Sequence, residues 1–158
     1  QRLADLLGLR DGVFNIETRV ATDSKAYIME SSPRGGGNRL CEMLKYATAG
    51  KTDLVMVAVK AALGEPVGDL SMPVYDGFWY QQMLHSDHDG VFAGMSYASD
   101  FAASHLAEEQ LWIKPGAKVE AFTAANHAFG SVFLRFDTQT ELDAFRAEPS
   151  EFMRAKVE

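Results

Sequence analysis

Two short segments near the N-terminus constrain the fold of this chain more than any other feature. Residues 13–20, VFNIETRV, alternate apolar and polar side chains with the period of a half-buried β-strand. Residues 26–32, AYIMESS, form a second strand candidate after the turn-forming stretch ATDSK. The two segments therefore predict an antiparallel β-hairpin.

The register of this hairpin decides which side chains share a face. If Glu17 lies opposite Glu30, the turn is centred between Asp23 and Ser24, with a common loop length of two or four residues. Directly opposed residues lie on the same face, with Cβ atoms about 4.5–5.5 Å apart, so two carboxylates in this arrangement repel each other. A shift of one residue would remove the pairing.

A divalent cation would turn this repulsion into a binding site. Carboxylate oxygens are the ligands that Mg²⁺ takes, usually together with substrate phosphates and water. Asn15 lies two residues before Glu17 and Ser32 two residues after Glu30, so either can add a neutral oxygen on the same face. The hairpin alone leaves a simpler interpretation open, in which both glutamates are solvated and Arg19 pairs with one of them.

A proline, an arginine and three glycines follow the second strand, and they favour a phosphate ligand. Pro33 fixes its own backbone angle and biases Ser32 towards extended geometry, which brings Arg34 near Glu30. An arginine beside a carboxylate–metal cluster can clamp a phosphoryl oxygen bidentately. The three glycines allow the backbone to approach a ligand closely. They are also expected to present exposed N–H donors at the start of the following helix: Gly35, Gly36 and Gly37.

Two amphipathic segments after the glycines predict α-helices. Apolar residues recur at helical spacing in 38–50 and again in 51–66. Thr52 or Asp53 can cap the second helix, and Gly64 ends it. Cys41, the single cysteine, lies in the first of these helices and is predicted to be a small core residue rather than a nucleophile.

The composition changes after the second helix. Residues 64–73 are rich in glycine and proline and predict a boundary between two domains, 1–66 and 74–158. The second domain is predicted to be mostly β, with strand candidates at 75–85, 89–97, 108–113, 118–123 and 130–136. We expect the first two of these strands to form a hairpin through the turn SDHDG. Residues 138–157 predict terminal helices, and the chain is therefore of the α+β class.

The charge, the apolar runs and the cysteine content of the chain exclude several classes of binding partner and location. The 158 residues include 15 basic and 22 acidic ones, and the formal net charge of -7 argues against a general nucleic-acid binder. No apolar run approaches the ~18 residues of a membrane span, and the opening residues lack the pattern of a signal peptide. A single cysteine excludes an intrachain disulfide framework and predicts a reducing, cytoplasmic location. Because the chain opens at Gln1, we expect a longer parent protein.

The hairpin and the loop after it resemble the C-terminal end of an ATP-grasp domain. That family carries a glutamate on one strand and, about a dozen residues later, a Glu-x-Asn-Pro-Arg-like segment followed by glycines and a helix. The matching residues here are Glu17 in FNIETRV and Glu30, Ser32, Pro33, Arg34 and the glycines in MESSPRGGG. The likeness covers about residues 8–68, and Ser32 replaces the family's usual metal-binding asparagine.

The resemblance implies a function for each of these residues. Glu17, Glu30 and Ser32 would hold the Mg²⁺ ions that bridge the phosphates of ATP, while Asn15 and the three glycines would belong to the nucleotide site. Arg34 would stabilise an acyl-phosphate and its transition state. The parent enzyme would be an ATP- and Mg²⁺-dependent ligase that activates a carboxylate for attack by an amine or another nucleophile. The use of Mn²⁺ in place of Mg²⁺ is left open.

The resemblance also implies that part of the active site lies elsewhere. The family's lysines and lid strands, which grip the nucleotide, precede such a hairpin and have no counterpart in this sequence. The chain is therefore predicted to be the C-terminal part of an ATP-grasp lobe followed by a small β-rich domain, inactive alone and completed by an N-terminal segment of the same protein. Its small-molecule substrates would be a carboxylate and an amine, and a homodimer is left open.

Two other functions remain open from the residues themselves. The chain can be a non-catalytic interaction module whose first half only resembles a ligase. Alternatively, the turn residues His85, Asp87, His88 and Asp89 can bind zinc or nickel, although a solvated turn is favoured because no further ligand is evident.

Overall fold

A computed structural model describes residues 2–8, 10, 12–68 and 70–158. Asp69, within the boundary predicted at 64–73, lies outside the described residues, as does Gln1. The chain divides into two units, Gln1–Asp76 and Gly77–Glu158. Helices and antiparallel strands occur in both units, so the predicted α+β class is confirmed. Within the described ranges, no helix combines the length and the apolar character needed to cross a membrane.

The first unit places one hairpin between helices. Its elements are α1 (Arg2–Leu7), β1 (Asn15–Val20), β2 (Ala26–Ser32), α2 (Leu40–Ala47) and α3 (Leu54–Leu63). The strands β1 and β2 are antiparallel and form a two-stranded sheet. The elements β1, β2, α2 and α3 each lie within a segment whose periodicity predicted them, because these signals are local to a few residues.

The hairpin pairs the two glutamates directly. Glu17 lies opposite Glu30 and Asn15 lies opposite Ser32. Directly opposed residues point to the same side of a sheet, and so do residues two apart on one strand. All four polar side chains therefore share one face of the hairpin, and the predicted pairing of the carboxylates is confirmed.

A β-bulge follows this pair and corrects the predicted turn. The register shifts between Glu17 and Thr18, so that Thr18 pairs with Ile28 and Met29 is the extra residue of β2. The predicted loop of two or four residues around Asp-Ser is therefore wrong. The strands end at the pair of Val20 and Ala26, and residues 21–25 form the loop.

The bulge reconciles two patterns of side chains that one register cannot satisfy. On the turn side, Ile28 shares a face with Ile16 and Val20. Beyond the bulge, Glu30 shares the opposite face with Glu17. A continuous register would place either Ile28 or Glu30 on the wrong face, because a slip of one residue reverses every side chain of a strand.

The helix α3 is capped and tied to α2 by one carboxylate. Of the two predicted caps, Asp53 is the one observed, and its Oδ1 accepts a hydrogen bond from the backbone N–H of Met56 at 3.0 Å. Its other oxygen lies 2.7 Å from Nζ of Lys45, in the last turn of α2. Gly64, with a φ of 71°, ends α3 as predicted.

The second unit contains eight regular elements and two shorter ones. In chain order they are β3 (Phe78–Leu84), β4 (Gly90–Tyr97), α4 (Phe101–His105), β5 (Leu106–Leu111), β6 (Lys118–Val119), a 3₁₀ turn (Ala125–His127), β7 (Gly130–Phe136), α5 (Gln139–Ala147), α6 (Pro149–Phe152) and β8 (Met153–Val157). They form two three-stranded antiparallel sheets, ordered β3-β7-β5 and β6-β4-β8.

The predicted hairpin between β3 and β4 is wrong, because the two strands belong to different sheets. β3 pairs with β7, and β4 pairs with β6 and β8. The turn between them is used for contacts to a distant segment: Ser86 forms a parallel bridge with Ala121, and Oδ1 of Asp89 accepts a hydrogen bond from the N–H of Ala121 at 2.8 Å. These contacts separate the two strands into two sheets.

The prediction of helices throughout 138–157 is correct for α5 and α6 but wrong for β8. Met153–Val157 pairs with β4, with Met153 opposite Tyr97. The segment MRAKV alternates apolar and basic residues, the period of a strand, and the preceding helical pattern concealed it. The N-cap of α5 is Thr138, whose hydroxyl forms a capping box with Glu141.

The core of the second unit gathers side chains from both sheets and from the helices. Phe92 of β4, Leu134 of β7 and Phe145 of α5 have no exposed surface. The ring of Phe145 stacks on Phe101, with centroids 5.6 Å apart, and meets Tyr80 edge-on at the same distance. The central strand β7 is buried along nearly its whole length and carries pairing partners on both sides.

We expect the substitution Asp53→Ala to destabilise the first unit by about 1 kcal/mol, because it removes the cap of α3. Hydrogen bonds from Lys45 and Met56 hold the pKa of Asp53 below its ordinary value of 3.8. The stabilisation is therefore present above that ordinary pKa and is lost as the pH falls through the lower folded-state pKa. Urea unfolding of both proteins from about pH 7 to about pH 2.5 measures the difference.

Thr52→Ala is the matched control, because Thr52 precedes the cap and does not cap α3. Its expected effect is below about 0.5 kcal/mol at any of these pH values. Equal effects of the two substitutions, or an Asp53→Ala effect that persists undiminished in acid, would contradict the assignment of the cap.

Candidate functional site

The candidate site begins with the polar face of the hairpin, formed by Asn15, Glu17, Glu30 and Ser32. The two carboxylates are exposed, whereas Asn15 and Ser32 are half-buried. The Oγ of Ser32 donates a hydrogen bond to Oε1 of Glu30 at 2.7 Å. The face thus offers two opposed carboxylates to solvent, flanked by neutral oxygens. That donor set is the kind a hard divalent cation takes.

Arg34 lies in the turn that follows β2. Its backbone N–H donates to the carbonyl of Ser32 at 2.9 Å, and its Nη1 donates to the carbonyl of Gly35, also at 2.9 Å. The first contact closes a tight turn directly after the strand. The second directs the guanidinium along the glycine segment, and the side chain remains exposed to solvent.

The three glycines differ in what surrounds them. A Cβ atom on Gly35 would lie 2.8 Å from Sγ of Cys41, and one on Gly36 would lie 2.7 Å from Cδ1 of Leu40 and 3.3 Å from Oδ1 of Asn15. A Cβ atom on Gly37 would meet nothing within 4 Å. The first two positions therefore require glycine for close packing against α2 and β1.

The glycine segment does not itself open the helix. α2 begins at Leu40, and Asn38 and Arg39, with φ values of 52° and 61°, separate it from the glycines. None of the three glycines has a positive φ. The expected N–H donors of the glycine segment therefore precede the first turn of α2 rather than form it.

Cys41 lies in α2 as the sequence predicted, but it is not the buried core residue that was expected. It is half-buried and has a free thiol. Its sulfur fills the space beside Gly35. The contact joins the helix to the glycine segment, which the sequence pattern did not indicate.

The turn at residues 85–89 does not gather its polar side chains into a metal site. The ring of His85 stacks on Phe122 with centroids 4.4 Å apart, while His88 contacts Asp87 and Asp89 binds a backbone N–H elsewhere. Across the described parts of the chain, no group of three histidine, cysteine or acidic side chains is placed to hold a metal. The zinc or nickel interpretation of this turn therefore has no structural support.

Comparisons with solved structures identify the fold. The structure matches phosphoribosylglycinamide synthetase from Anaerococcus prevotii with a TM-score of 0.71 and 17% sequence identity. It matches L-amino acid ligase from Bacillus licheniformis with a TM-score of 0.78 and 16% identity, and N5-carboxyaminoimidazole ribonucleotide synthetase from Thermotoga maritima with a TM-score of 0.67 and 12% identity. No protein-family model and no curated protein matches the sequence.

These matches cover almost all of this chain but less than half of the solved proteins. The aligned part is 98–99% of this chain and 38–40% of the three solved chains. The chain therefore has the fold of part of each of these three proteins, and the ATP-grasp resemblance inferred from the hairpin and glycine segment is confirmed at the level of fold. The solved proteins with this fold are ligases and synthetases by name.

We expect Gly36→Ala to destabilise the first unit by about 1 kcal/mol, the lower end of the range for overpacking. Leu40 has to change its side-chain conformation, and Asn15 has to move, to admit the added methyl group. The measurement is urea unfolding of the wild-type and variant chains followed by circular dichroism.

Gly37→Ala is the matched control at the neighbouring position. Its methyl group would enter open space and its φ is not positive, so we expect no loss of stability. If the two variants unfold at the same urea concentration, Gly36 is not the point of close packing.

Proposed function

We propose that this chain supplies the phosphate-facing part of an ATP- and Mg²⁺-dependent ligase that activates a carboxylate for attack by an amine or another nucleophile. The observation that carries the proposal is the direct pairing of Glu17 with Glu30, followed within a few residues by Arg34 and the glycine segment. The ATP-grasp fold of the chain supports this assignment.

The polar face fits a divalent cation by the chemistry of its donors. Glu17 and Glu30 would be the charged ligands, and the neutral side chains of Asn15 and Ser32 flank them on the same face. Without a cation, two carboxylates at about 4.5–5.5 Å between Cβ atoms repel each other. Glu17 and Glu30 would hold Mg²⁺, or Mn²⁺ in its place, which would offset the charges of both carboxylates and supply positive charge to the phosphates of ATP.

Arg34 and the glycine segment would bind the nucleotide side of the same site. The guanidinium of Arg34 is exposed and lies along the glycine segment, where two of its N–H groups can reach a phosphoryl oxygen. Gly35, Gly36 and Gly37 would offer backbone N–H groups to the ligand, and Gly37 is also open on the side where a side chain would lie. We assign Arg34 to stabilisation of the charge that develops on the transferring phosphoryl group.

The proposed reaction has two steps. A carboxylate oxygen of the substrate attacks the γ-phosphorus of ATP and displaces ADP, which gives an acyl-phosphate. The amine then attacks the acyl carbon, inorganic phosphate leaves, and the amine loses a proton. In both steps the contribution of this chain is electrostatic, because the carboxylate pair places the cation and Arg34 faces the phosphoryl oxygens.

The rest of the site would come from an N-terminal segment of the same protein. Both strands of the hairpin are largely exposed, including the apolar residues Ile16, Val20 and Ile28, and Ile28 has 58% of its surface in solvent. An isolated two-stranded hairpin is at best marginally stable in water. A further segment packed on this apolar face would stabilise the hairpin. We propose that the N-terminal segment does this and also supplies the rest of the nucleotide site on the polar face, so that the chain is inactive alone. A cytoplasmic location and a homodimer stay predictions.

The experiment is ADP release by the complete polypeptide with MgATP, candidate carboxylates and candidate amines. We expect Glu17→Gln and Glu30→Gln each to lower the rate by about 100-fold, because each removes a charged ligand of the cation. Arg34→Lys keeps the charge but removes the bidentate fork, so a smaller loss is expected.

Glu65→Gln provides the control, since Glu65 is an exposed carboxylate after α3 and outside the hairpin. It should leave ADP release unchanged. Unchanged release in both Glu17→Gln and Glu30→Gln would remove the ligase proposal and favour an interaction module.

A further inference from the structure

The hydroxyl of Ser32 is hydrogen-bonded to Glu30, which lies on the same face of the hairpin. Its Oγ donates to Oε1 of Glu30 at 2.7 Å, a length typical of the strong hydrogen bonds made to a carboxylate. Ser32 is half-buried, whereas Glu30 is exposed. The hydrogen bond therefore ties a solvent-exposed carboxylate to a better-packed residue.

We propose that Ser32 is a positioning residue for Glu30 rather than a ligand of the cation. In this assignment the hydroxyl holds Oε1, which leaves Oε2 of Glu30 and the carboxylate of Glu17 to bind the cation. The inference rests on the proposed function, since it assumes that the carboxylate pair binds a divalent metal.

The β-bulge gives Glu30 a need for such support. Met29, immediately before Glu30, is the extra residue of β2, and a bulge disrupts the ladder and bends its strand. The backbone alone therefore constrains the direction of the Glu30 side chain less than a regular strand would. A hydrogen bond from the next residue on the same face restores a defined direction.

Ser32 is itself held in place by the turn that follows. The carbonyl of Ser32 accepts a hydrogen bond from the N–H of Arg34 at 2.9 Å, and Pro33 between them has a restricted backbone. These constraints fix the point from which the hydroxyl donates. A serine held in this way can orient a carboxylate at little cost in side-chain entropy, because it has a single rotatable bond to its hydroxyl oxygen.

Asn15, the neutral residue opposite Ser32, lies next to Gly36. Asn15 directs its Oδ1 towards Gly36, at 3.3 Å from the place that a Cβ atom would occupy. The two neutral residues of the polar face thus serve different parts of the site, since Asn15 supports the glycine segment and Ser32 supports Glu30.

The test measures binding of Mn²⁺ alone to the complete polypeptide by electron paramagnetic resonance. We expect Ser32→Ala to weaken binding about tenfold, as is usual when the hydrogen-bond partner of a metal ligand is removed. Ser32→Thr, which keeps the hydroxyl, should restore affinity to within about twofold of the wild type. In a Glu30→Gln background, Ser32→Ala should have no further effect, because the residue acts through Glu30.

The substitution Ser32→Cys distinguishes a residue that orients Glu30 from a residue that binds the cation itself. If Ser32 were a ligand, Ser32→Cys would place a soft donor in the coordination shell and would tighten binding of Cd²⁺, relative to Ser32→Ala, by about tenfold or more. We expect instead that Ser32→Cys and Ser32→Ala bind Cd²⁺ alike in competition with Mn²⁺. A selective gain for Cd²⁺, or full additivity with Glu30→Gln, would overturn the positioning assignment.

Ser31→Ala is the matched control, because Ser31 is the adjacent serine and pairs with Ile16 on the other face. It should leave Mn²⁺ binding unchanged. The Glu17→Gln variant reports on the proposed function separately: if the wild-type chain does not bind Mn²⁺, or Glu17→Gln binds it equally well, the metal site itself is refuted. If Glu17→Gln abolishes binding and Ser32→Ala does not weaken it, only the positioning assignment fails.

Discussion

Two carboxylates that face each other across a β-ladder repel, and the hairpin of the first unit holds Glu17 and Glu30 in this arrangement by its register. The bulge at Met29 makes this pairing compatible with an apolar opposite face. Ile28 joins Ile16 and Val20 on one side, while the two glutamates share the other. Asn15, Ser32, Arg34 and the glycine segment all lie within a few residues of this pair.

The groups around the pair are arranged by short-range contacts. Ser32 binds the carboxylate of Glu30, and the turn through Arg34 returns the chain towards the glycine segment. The glycine segment packs closely against α2 at Gly35 and Gly36. The acid, the arginine and the glycines thus lie within one short segment of the chain, and for this reason the sequence alone predicts their combination.

The second unit shows where local patterns were insufficient. The turn SDHDG carries the composition of a hairpin, yet β3 pairs with β7 and β4 with β8. Both partners lie far along the chain, and the choice between them and a local hairpin depends on burial of the central strand β7 against a shared core. The prediction of a helix at 153–157 is wrong for a related reason. The helical spacing of the preceding residues is a longer signal than the five alternating residues of β8.

The sequence by itself determined the hairpin, a candidate pairing of Glu17 with Glu30, the start of α3 with two candidate caps, and the association of Arg34 with a glycine segment. These features depend on side chains a few residues apart, whose periodicity and capping preferences act locally. The tertiary structure alone decided the bulge at Met29, the exchange of strand partners in the second unit and the hydrogen bond from Ser32 to Glu30. Those features depend on the competition between alternative pairings and on the burial of residues distant in the chain, and no local pattern records the outcome of that competition.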